Sequence, residues 1–67
     1  MITIHLNGET REFEHSVDLS ALVEQLSLAA KRIAVELNGA VVRRADWPAT
    51  AIKDGDKIEV VHFVGGG

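Results

Sequence analysis

Apolar and polar residues alternate along three segments of the chain. These are "MITIHL" at residues 1–6, "RIAVEL" at residues 32–37 and "KIEVVHFV" at residues 57–64. A repeat of two residues places every second side chain on the same side of an extended chain, so it is typical of a β-strand with one buried face. The pattern therefore predicts three such strands, of which the last is the most apolar.

An Asn-Gly pair follows each of the first two alternating segments, at residues 7–8 and 38–39. Both residue types tolerate the positive φ that the tight turn of a β-hairpin requires. The segments after the turns, "ETREFE" at residues 9–14 and "AVVRR" at residues 40–44, are suited to return as short strands. The sequence therefore predicts two hairpins.

The segment between the hairpins has a different period. Apolar residues recur there at the spacing i, i+3, i+4 and i+7: Leu19, Leu22, Val23 and Leu26. This spacing predicts an amphipathic α-helix over about residues 19–27. Asp18 stands directly before the apolar stripe and is a candidate N-cap, with Ser16 as the alternative, because both side chains can accept a hydrogen bond from the first turn.

The predicted elements suggest one fold. The helix must bury its stripe, and the alternating strands offer an apolar face to receive it. The first and last strands should be central and parallel, since the helix-containing connection provides the crossover. Residues 45–56 are expected to be irregular because Pro48 disfavours a strand, with a tight turn at residues 54–56. The expected fold is α+β of the β-grasp (ubiquitin-like) type, a mixed sheet of four to five strands with one main helix.

The apolar sides of these elements define a predicted core. Its members are Ile2, Ile4, Leu6, Phe13, Val17, Leu19, Leu22, Val23, Leu26, Ile33, Val35, Leu37, Ile52, Ile58 and Val60. We expect one domain over residues 1–64, followed by a flexible glycine tail at residues 65–67. Glycines have no side chain to pack and the most backbone freedom to lose, so the tail should be mobile until a partner orders it.

Composition narrows the classes of function. A net charge of −3 and seven thinly spread basic residues disfavour nucleic-acid binding, which needs a basic face. The chain has no cysteine, so it forms neither disulfides nor thiolate metal sites, which agrees with a reducing cytoplasm. No apolar stretch approaches the roughly 20 residues of a membrane span. A cytoplasmic protein without membrane contact is therefore expected.

Side chains that carry chemistry are scattered. His5, His15 and His62 fall on a strand, a loop and another strand, so we expect surface histidines and no metal site. Asp54 and Asp56 flank a turn glycine, and turn formation explains them. No carboxylate pair suggests general acid–base catalysis, and neither a catalytic triad nor a large cleft fits so small a body. An independent enzyme is not expected.

Arg43, Arg44 and Trp47 form the densest polar and aromatic stretch of the chain. Two interpretations stay open. In the first, the arginines are a charged strand end and Trp47 covers one edge of the core. In the second, the stretch contacts a partner.

The glycines at residues 65–67 also have two interpretations. A flexible terminus or a cloning remnant explains them without any function. Alternatively, three extended glycines reach about 10 Å beyond the domain, pass through a channel too narrow for side chains, and present an α-carboxylate that is an anion at neutral pH. Such a carboxylate is able to attack the α-phosphate of ATP, and the acyl-adenylate is then open to sulfur or another nucleophile.

The chain resembles the ubiquitin-like sulfur carriers nearly from end to end, and most of all the small carriers of thiazole (thiamin) biosynthesis. Four segments carry the likeness: "LNG" at 6–8, the helix segment at 19–26, "LNGAVVRRADW" at 37–47 and "KDGDKIEVVHFVGGG" at 53–67. A glycine pair after "DGD" and an apolar strand occurs in several sulfur-carrier families. The basic-x-x-Trp stretch that ends at Trp47, together with "FVGGG", points more narrowly to the thiazole members.

The resemblance implies a chemical role for Gly67. Its carboxylate would be adenylated by a ubiquitin-activating-like adenylyltransferase that uses ATP, while the carrier itself binds no cofactor. A cysteine desulfurase or other persulfide donor would then supply sulfur, and the thiocarboxylate would pass it to a thiazole synthase. The carrier is thus expected to be a co-substrate of these partners and not an enzyme.

Two alternatives to this role remain. One is a sulfur carrier for molybdopterin or another sulfur-transfer pathway, and the other is a ubiquitin-like tagging or binding module. What becomes bonded to Gly67 separates a carrier from a tag, since a carrier gains a sulfur atom and a tag joins a lysine amine.

Parity along the last strand predicts the surface that partners contact. Ile58 and Val60 should face the helix, which leaves Val61 and Phe63 on the open face of the sheet. An apolar patch at the root of the tail would hold the domain while the tail enters an active site. If the strand twists near its end, Phe63 instead caps the core. The residues expected to bind partners are Val61, Phe63, Val64, Gly65 and Gly66.

Overall fold

The computed structural model describes residues 1–26 and 32–62. Its elements are β1 (Ile2–Leu6), β2 (Glu9–Phe13), α1 (Leu19–Gln25), β3 (Ile33–Leu37), β4 (Ala40–Val42), a 3₁₀ helix (Arg44–Ala49) and β5 (Lys57–His62). This is the predicted order of two hairpins around a helix, followed by a final strand. The predicted helix end at residue 27 and the predicted strand end at residues 63–64 lie outside the described residues, as does the glycine tail.

The five strands form one mixed sheet in the order β2-β1-β5-β3-β4. β1 and β5 are parallel, with Leu6 opposite Ile58, and both hairpins are antiparallel. β5 is also antiparallel to β3, so the last strand lies in the middle of the sheet with a partner on each side. The predicted central, parallel pairing of the first and last strands is confirmed, and so is the β-grasp arrangement.

Both Asn-Gly pairs adopt the turn that the sequence predicts. Asn7 has φ 50° and Gly8 has φ 82°, while Asn38 and Gly39 have φ 53° and 89°. Two successive positive φ values give a hairpin turn whose twist matches that of the flanking strands. The two turns therefore set the register of β1 with β2 and of β3 with β4.

Helix α1 begins at an aspartate cap. The Asp18 carboxylate accepts a hydrogen bond of 2.8 Å from the backbone N–H of Ala21, which confirms Asp18 as the N-cap. Ser16 has a different role, since its hydroxyl donates to the Ile52 carbonyl oxygen at 2.7 Å. Across the described residues, no helix has both the length and the apolar character that crossing a membrane requires.

The core lies between α1 and one face of the sheet. Its buried members are Ile4, Leu6, Leu19, Leu22, Val23, Ile33, Val35, Trp47, Ile52, Ile58 and Val60. Five predicted core residues are instead half-buried and pack against this cluster: Ile2, Phe13, Val17, Leu26 and Leu37. Seven helical residues span only about 10 Å, so α1 covers the centre of the sheet and leaves side chains at its margins partly exposed.

Trp47 belongs to the core although it is not among the predicted core residues. It is only 3% exposed, and its indole N–H donates to the Val42 carbonyl oxygen at 2.9 Å. The prediction that residues 45–56 are irregular is wrong for the first part of this segment, where a 3₁₀ helix carries Trp47 inward although it contains Pro48. Burial of the large indole outweighs the preference of a residue before proline for extended backbone.

We expect Trp47→Phe to destabilise the domain by about 1–3 kcal/mol, because the phenyl ring leaves the Val42 carbonyl oxygen without its donor. Urea unfolding followed by circular dichroism measures the difference without relying on tryptophan fluorescence. A loss of only a few tenths of a kcal/mol would contradict a structural role for the indole hydrogen bond.

Candidate functional site: the end of the central strand

The end of β5 presents an apolar side chain on the open face of the sheet. Ile58 and Val60 are buried in the cluster that contains the α1 stripe, whereas Glu59 is exposed and Val61 is 49% exposed. The predicted parity is therefore confirmed for these four residues. The other predicted site residues lie outside the described part of the chain: Phe63, Val64, Gly65, Gly66 and Gly67.

Val61 has an apolar neighbour on one side and acidic neighbours along the strand. It pairs with Ala34 of β3, and the next pair on the same face is Glu59 with Glu36. Like charges directly opposite each other weaken strand pairing. Lys57 lines the same hollow as the two glutamates and places a positive charge near them. The open face at the end of β5 thus combines a small apolar centre with an acidic border.

Two asparagine side chains hold β5 along its length. Asn38 accepts a hydrogen bond of 2.9 Å from the Lys57 N–H and donates to the Asp56 carboxylate at 3.1 Å. Asn7 accepts from the Val60 N–H at 2.8 Å and donates from Nδ2 to the Val60 carbonyl oxygen at 3.3 Å. The backbone of β5 is thus fixed at its first residue and again directly before Val61.

The two arginines at the beginning of the 3₁₀ helix and the tryptophan within it do not form one exposed cluster. Arg43 and Arg44 are exposed, whereas Trp47 is buried. The burial of Trp47 supports the interpretation in which it covers one edge of the core. Contact between the two arginines and a partner stays a hypothesis.

The histidines lie on the surface, and the aspartates of residues 54–56 bond to backbone groups. His5, His15 and His62 are all exposed. Within residues 1–26 and 32–62, no group of three histidine or acidic side chains is arranged to hold a metal ion, and the absence of a metal site stays a prediction. Asp56 accepts a hydrogen bond of 2.7 Å from the Lys53 N–H, which confirms its role in the turn, whereas Asp54 accepts one of 2.7 Å from the Thr3 N–H and so joins the turn to β1.

The chain matches the family model of the ThiS family from residue 4 to residue 67. The chain belongs to the ThiS family. A crystal structure of the thiamine biosynthesis protein (ThiS) from Geobacter metallireducens agrees with the ThiS assignment, with a TM-score of 0.86. That chain is 36% identical, and the match covers 98% of this chain and 100% of the Geobacter chain. The β-grasp fold and the family that the sequence suggested are both confirmed.

Two curated relatives add different information on the ThiS family. The sulfur carrier protein ThiS of Thermus thermophilus is 34% identical over 64 residues, which are 96% of this chain and 98% of that protein. A thiazole synthase of Magnetococcus marinus is 47% identical over 64 residues, which are 96% of this chain but 20% of that protein. This chain thus spans about one fifth of the length of the thiazole synthase, which contains a ThiS-like segment.

Sequence reasoning missed the side chain of Asn7 as part of this site. As a turn signal, the Asn-Gly pair indicates no further role for the asparagine side chain. The bonds from Asn7 to Val60 join residues that are 53 positions apart. Asp or Gly also occurs at the first position of such turns. The presence of Asn at both turns is therefore the one feature of the sequence that points to a role for the side chain.

Proposed function

We propose that this chain is a sulfur carrier of thiamin synthesis, with the carboxylate of Gly67 as the group that is activated. The observation that carries the proposal is the extent of the ThiS family match, which continues through residue 67 and so includes all three glycines. The name of the Thermus thermophilus relative, sulfur carrier protein, supports the same role.

The proposed chemistry converts the carboxylate of Gly67 to a thiocarboxylate in three steps. A carboxylate oxygen of Gly67 attacks the α-phosphorus of ATP on an activating enzyme, and pyrophosphate leaves. The terminal sulfur of a persulfide donor, such as a cysteine desulfurase provides, then attacks the carbonyl carbon, and AMP leaves. A second thiol cleaves the sulfur–sulfur bond, which releases the thiocarboxylate and leaves a disulfide on the donor side. The carrier supplies a substrate group and performs no catalysis.

The composition of the chain supports a terminal sulfur. A protein that stores sulfane sulfur on a side chain needs a cysteine thiolate, and this sequence contains no cysteine. ATP is bound by the activating enzyme in this proposal, and the carrier binds no cofactor of its own.

The thiazole synthase relative supports a proposal about which enzyme accepts the sulfur. A segment 47% identical to this chain forms part of that longer protein. A carrier-like segment therefore occurs in the same polypeptide as the rest of a thiazole synthase. We therefore propose a thiazole synthase as the enzyme that receives sulfur from Gly67. The adenylyltransferase, the persulfide donor and the synthase are the three partners that the chemistry requires.

The open face around Val61 suits these partners. Each of them must hold the domain while the glycines enter an active site, and a half-exposed valine at the end of the central strand provides apolar contact beside the tail. A matching partner surface would cover Val61 and Ala34 and place a basic group near Glu36 and Glu59.

Val61→Asp should raise the KM of the activating enzyme for the carrier by about tenfold or more, since a charge replaces an apolar contact at the centre of the interface. Its effect on the free energy of unfolding should stay within about 1 kcal/mol, because the side chain is half-exposed. The measurement is pyrophosphate release as a function of carrier concentration, with stability followed by urea unfolding.

Val41→Asp is the matched control for this substitution. Val41 is 69% exposed in β4, on the same face of the sheet but at its edge. It should leave the KM close to that of the unmodified chain. If both variants raise KM equally, the effect comes from added negative charge and the docking role of Val61 is contradicted.

A further inference from the structure

The pairing of β1 with β5 continues beyond the last backbone bond that the two strands form. The His5 N–H donates to the Asp56 carbonyl oxygen and the Asn7 N–H to the Ile58 carbonyl oxygen, both at 2.9 Å. The next bond in this series belongs to Val60, but the chain turns away toward β2 at Asn7. The Asn7 side chain supplies that bond instead.

The Asn7 amide takes the place of a peptide group. Its Oδ1 accepts from the Val60 N–H at 2.8 Å and its Nδ2 donates to the Val60 carbonyl oxygen at 3.3 Å. Val60 is only 8% exposed, and a buried backbone group without a partner is costly. The side chain therefore satisfies both polar groups of Val60 at a point where β1 can no longer do so.

The two bonds act on the peptide groups before and after Val60. The second of these groups links Val60 to Val61, so its orientation sets how the chain continues from the sheet past the exposed valine. A partner that holds the domain at Val61 therefore meets the end of β5 at a position that this peptide group defines. Misplacement of a reacting group by about 1 Å can slow a reaction by about a hundredfold.

We infer that Asn7 is a positioning residue for the reactive terminus. Its side-chain amide clamps Val60 and thereby fixes the point at which the chain leaves the sheet relative to the docking surface at Val61. This inference rests on the proposed function, because it assigns Asn7 a part in presenting Gly67 to the activating enzyme. Asn7 itself touches neither ATP nor the reacting carboxylate in this account.

Asn38 provides an internal control. It occupies the same turn position as Asn7, with φ 53° against 50°, and its side chain also bonds to β5. Its partner there is the N–H of Lys57 at the beginning of the strand, four residues before Val61. Glycine tolerates a positive φ without strain, so Asn7→Gly and Asn38→Gly each remove an amide side chain and preserve the turn.

The experiment compares both variants with the unmodified chain in the adenylation reaction, at a temperature where circular dichroism shows all three folded. We expect Asn7→Gly to lower kcat by about tenfold or more while KM stays within about threefold, because docking is retained and the end of β5 is displaced relative to the active site of the activating enzyme. Asn38→Gly should keep both constants of the unmodified chain. Amide hydrogen exchange should be faster at Val60 in Asn7→Gly and unchanged there in Asn38→Gly.

Three results would overturn the inference, and they are distinguishable. If Asn7→Gly accelerates exchange at Val60 but keeps its kcat, Asn7 only stabilises the sheet. If both variants lose kcat equally, general weakening of β5 explains the loss. If the unmodified chain itself gains no adenylate, the proposed function fails and the role of Asn7 in it fails as well.

Discussion

A chain extended by one alanine after Gly67 should form no thiocarboxylate while its β-grasp domain stays folded. The added residue moves the carboxylate by about 3.5 Å and, in the proposed mechanism, brings a methyl group into a channel that admits only glycine. The reacting atom then no longer lies in line with the α-phosphate, and proximity accounts for several kcal/mol of the barrier in such reactions. Intact-mass measurement after incubation with the activating enzyme, ATP and a sulfur source detects the loss.

An alanine inserted after Met1 is the control for this extension. It adds the same mass at the other end of the chain, where Met1 is 81% exposed. This variant should gain sulfur at the rate of the unmodified chain. Sulfur gain by the chain extended after Gly67 would contradict activation at a defined terminal glycine.

Leu22→Asp should unfold the domain. Leu22 is 1% exposed in α1 and belongs to the single core cluster of the described residues. The substitution removes apolar contacts and introduces a carboxylate that has no partner there, a change that costs about 4 kcal/mol or more. A single core in a domain of 67 residues rarely supplies more than about 3–5 kcal/mol, so most of the stability would be lost. Loss of the cooperative urea transition by circular dichroism is the expected observation.

Gln25→Asp is the matched control in the same helix. Gln25 is exposed in the last turn of α1, where an added negative charge costs only about 0.3–1 kcal/mol. If Leu22→Asp is no more destabilising than Gln25→Asp, the assignment of the buried face of α1 is wrong.

Most of the fold is predictable from local patterns in the sequence. Alternation in "RIAVEL" predicts that Ile33 and Val35 point inward, and both are buried. The Asn-Gly pairs predict positive φ, which the structure has at Asn7 and Asn38. Asp18 is recognisable as a cap because it precedes an apolar stripe of helical period. Each of these features depends on neighbours within a few residues, which a single sequence displays.

The missed features depend on distant parts of the chain. Trp47 is buried because the 3₁₀ helix lies against α1, and no repeat in the sequence indicates that contact between two separate elements. Phe13 has the parity of a core residue, but alternation does not show how far a short helix extends over a sheet. The bonds from Asn7 to Val60 appear only once the parallel pairing of β1 and β5 is known.

Only part of the candidate site is predictable from local patterns in the sequence. The exposure of Val61 follows from parity alone, because Ile58 and Val60 must face the core. The proposed role of Gly67 rests on the family resemblance, since a glycine run by itself is equally compatible with a terminus that has no function. Which enzyme receives the sulfur depends on partner surfaces, and no pattern in this chain describes them.

Localising the sulfur is the measurement that tests the central claim most directly. The unmodified chain is incubated with its activating enzyme, ATP and a persulfide donor, and the product is fragmented in a mass spectrometer. The account predicts a mass increase equal to the replacement of one oxygen by one sulfur, carried only by fragments that contain Gly67. An unchanged mass, a sulfur atom on fragments that lack Gly67, or an amide bond from Gly67 to a lysine would contradict it.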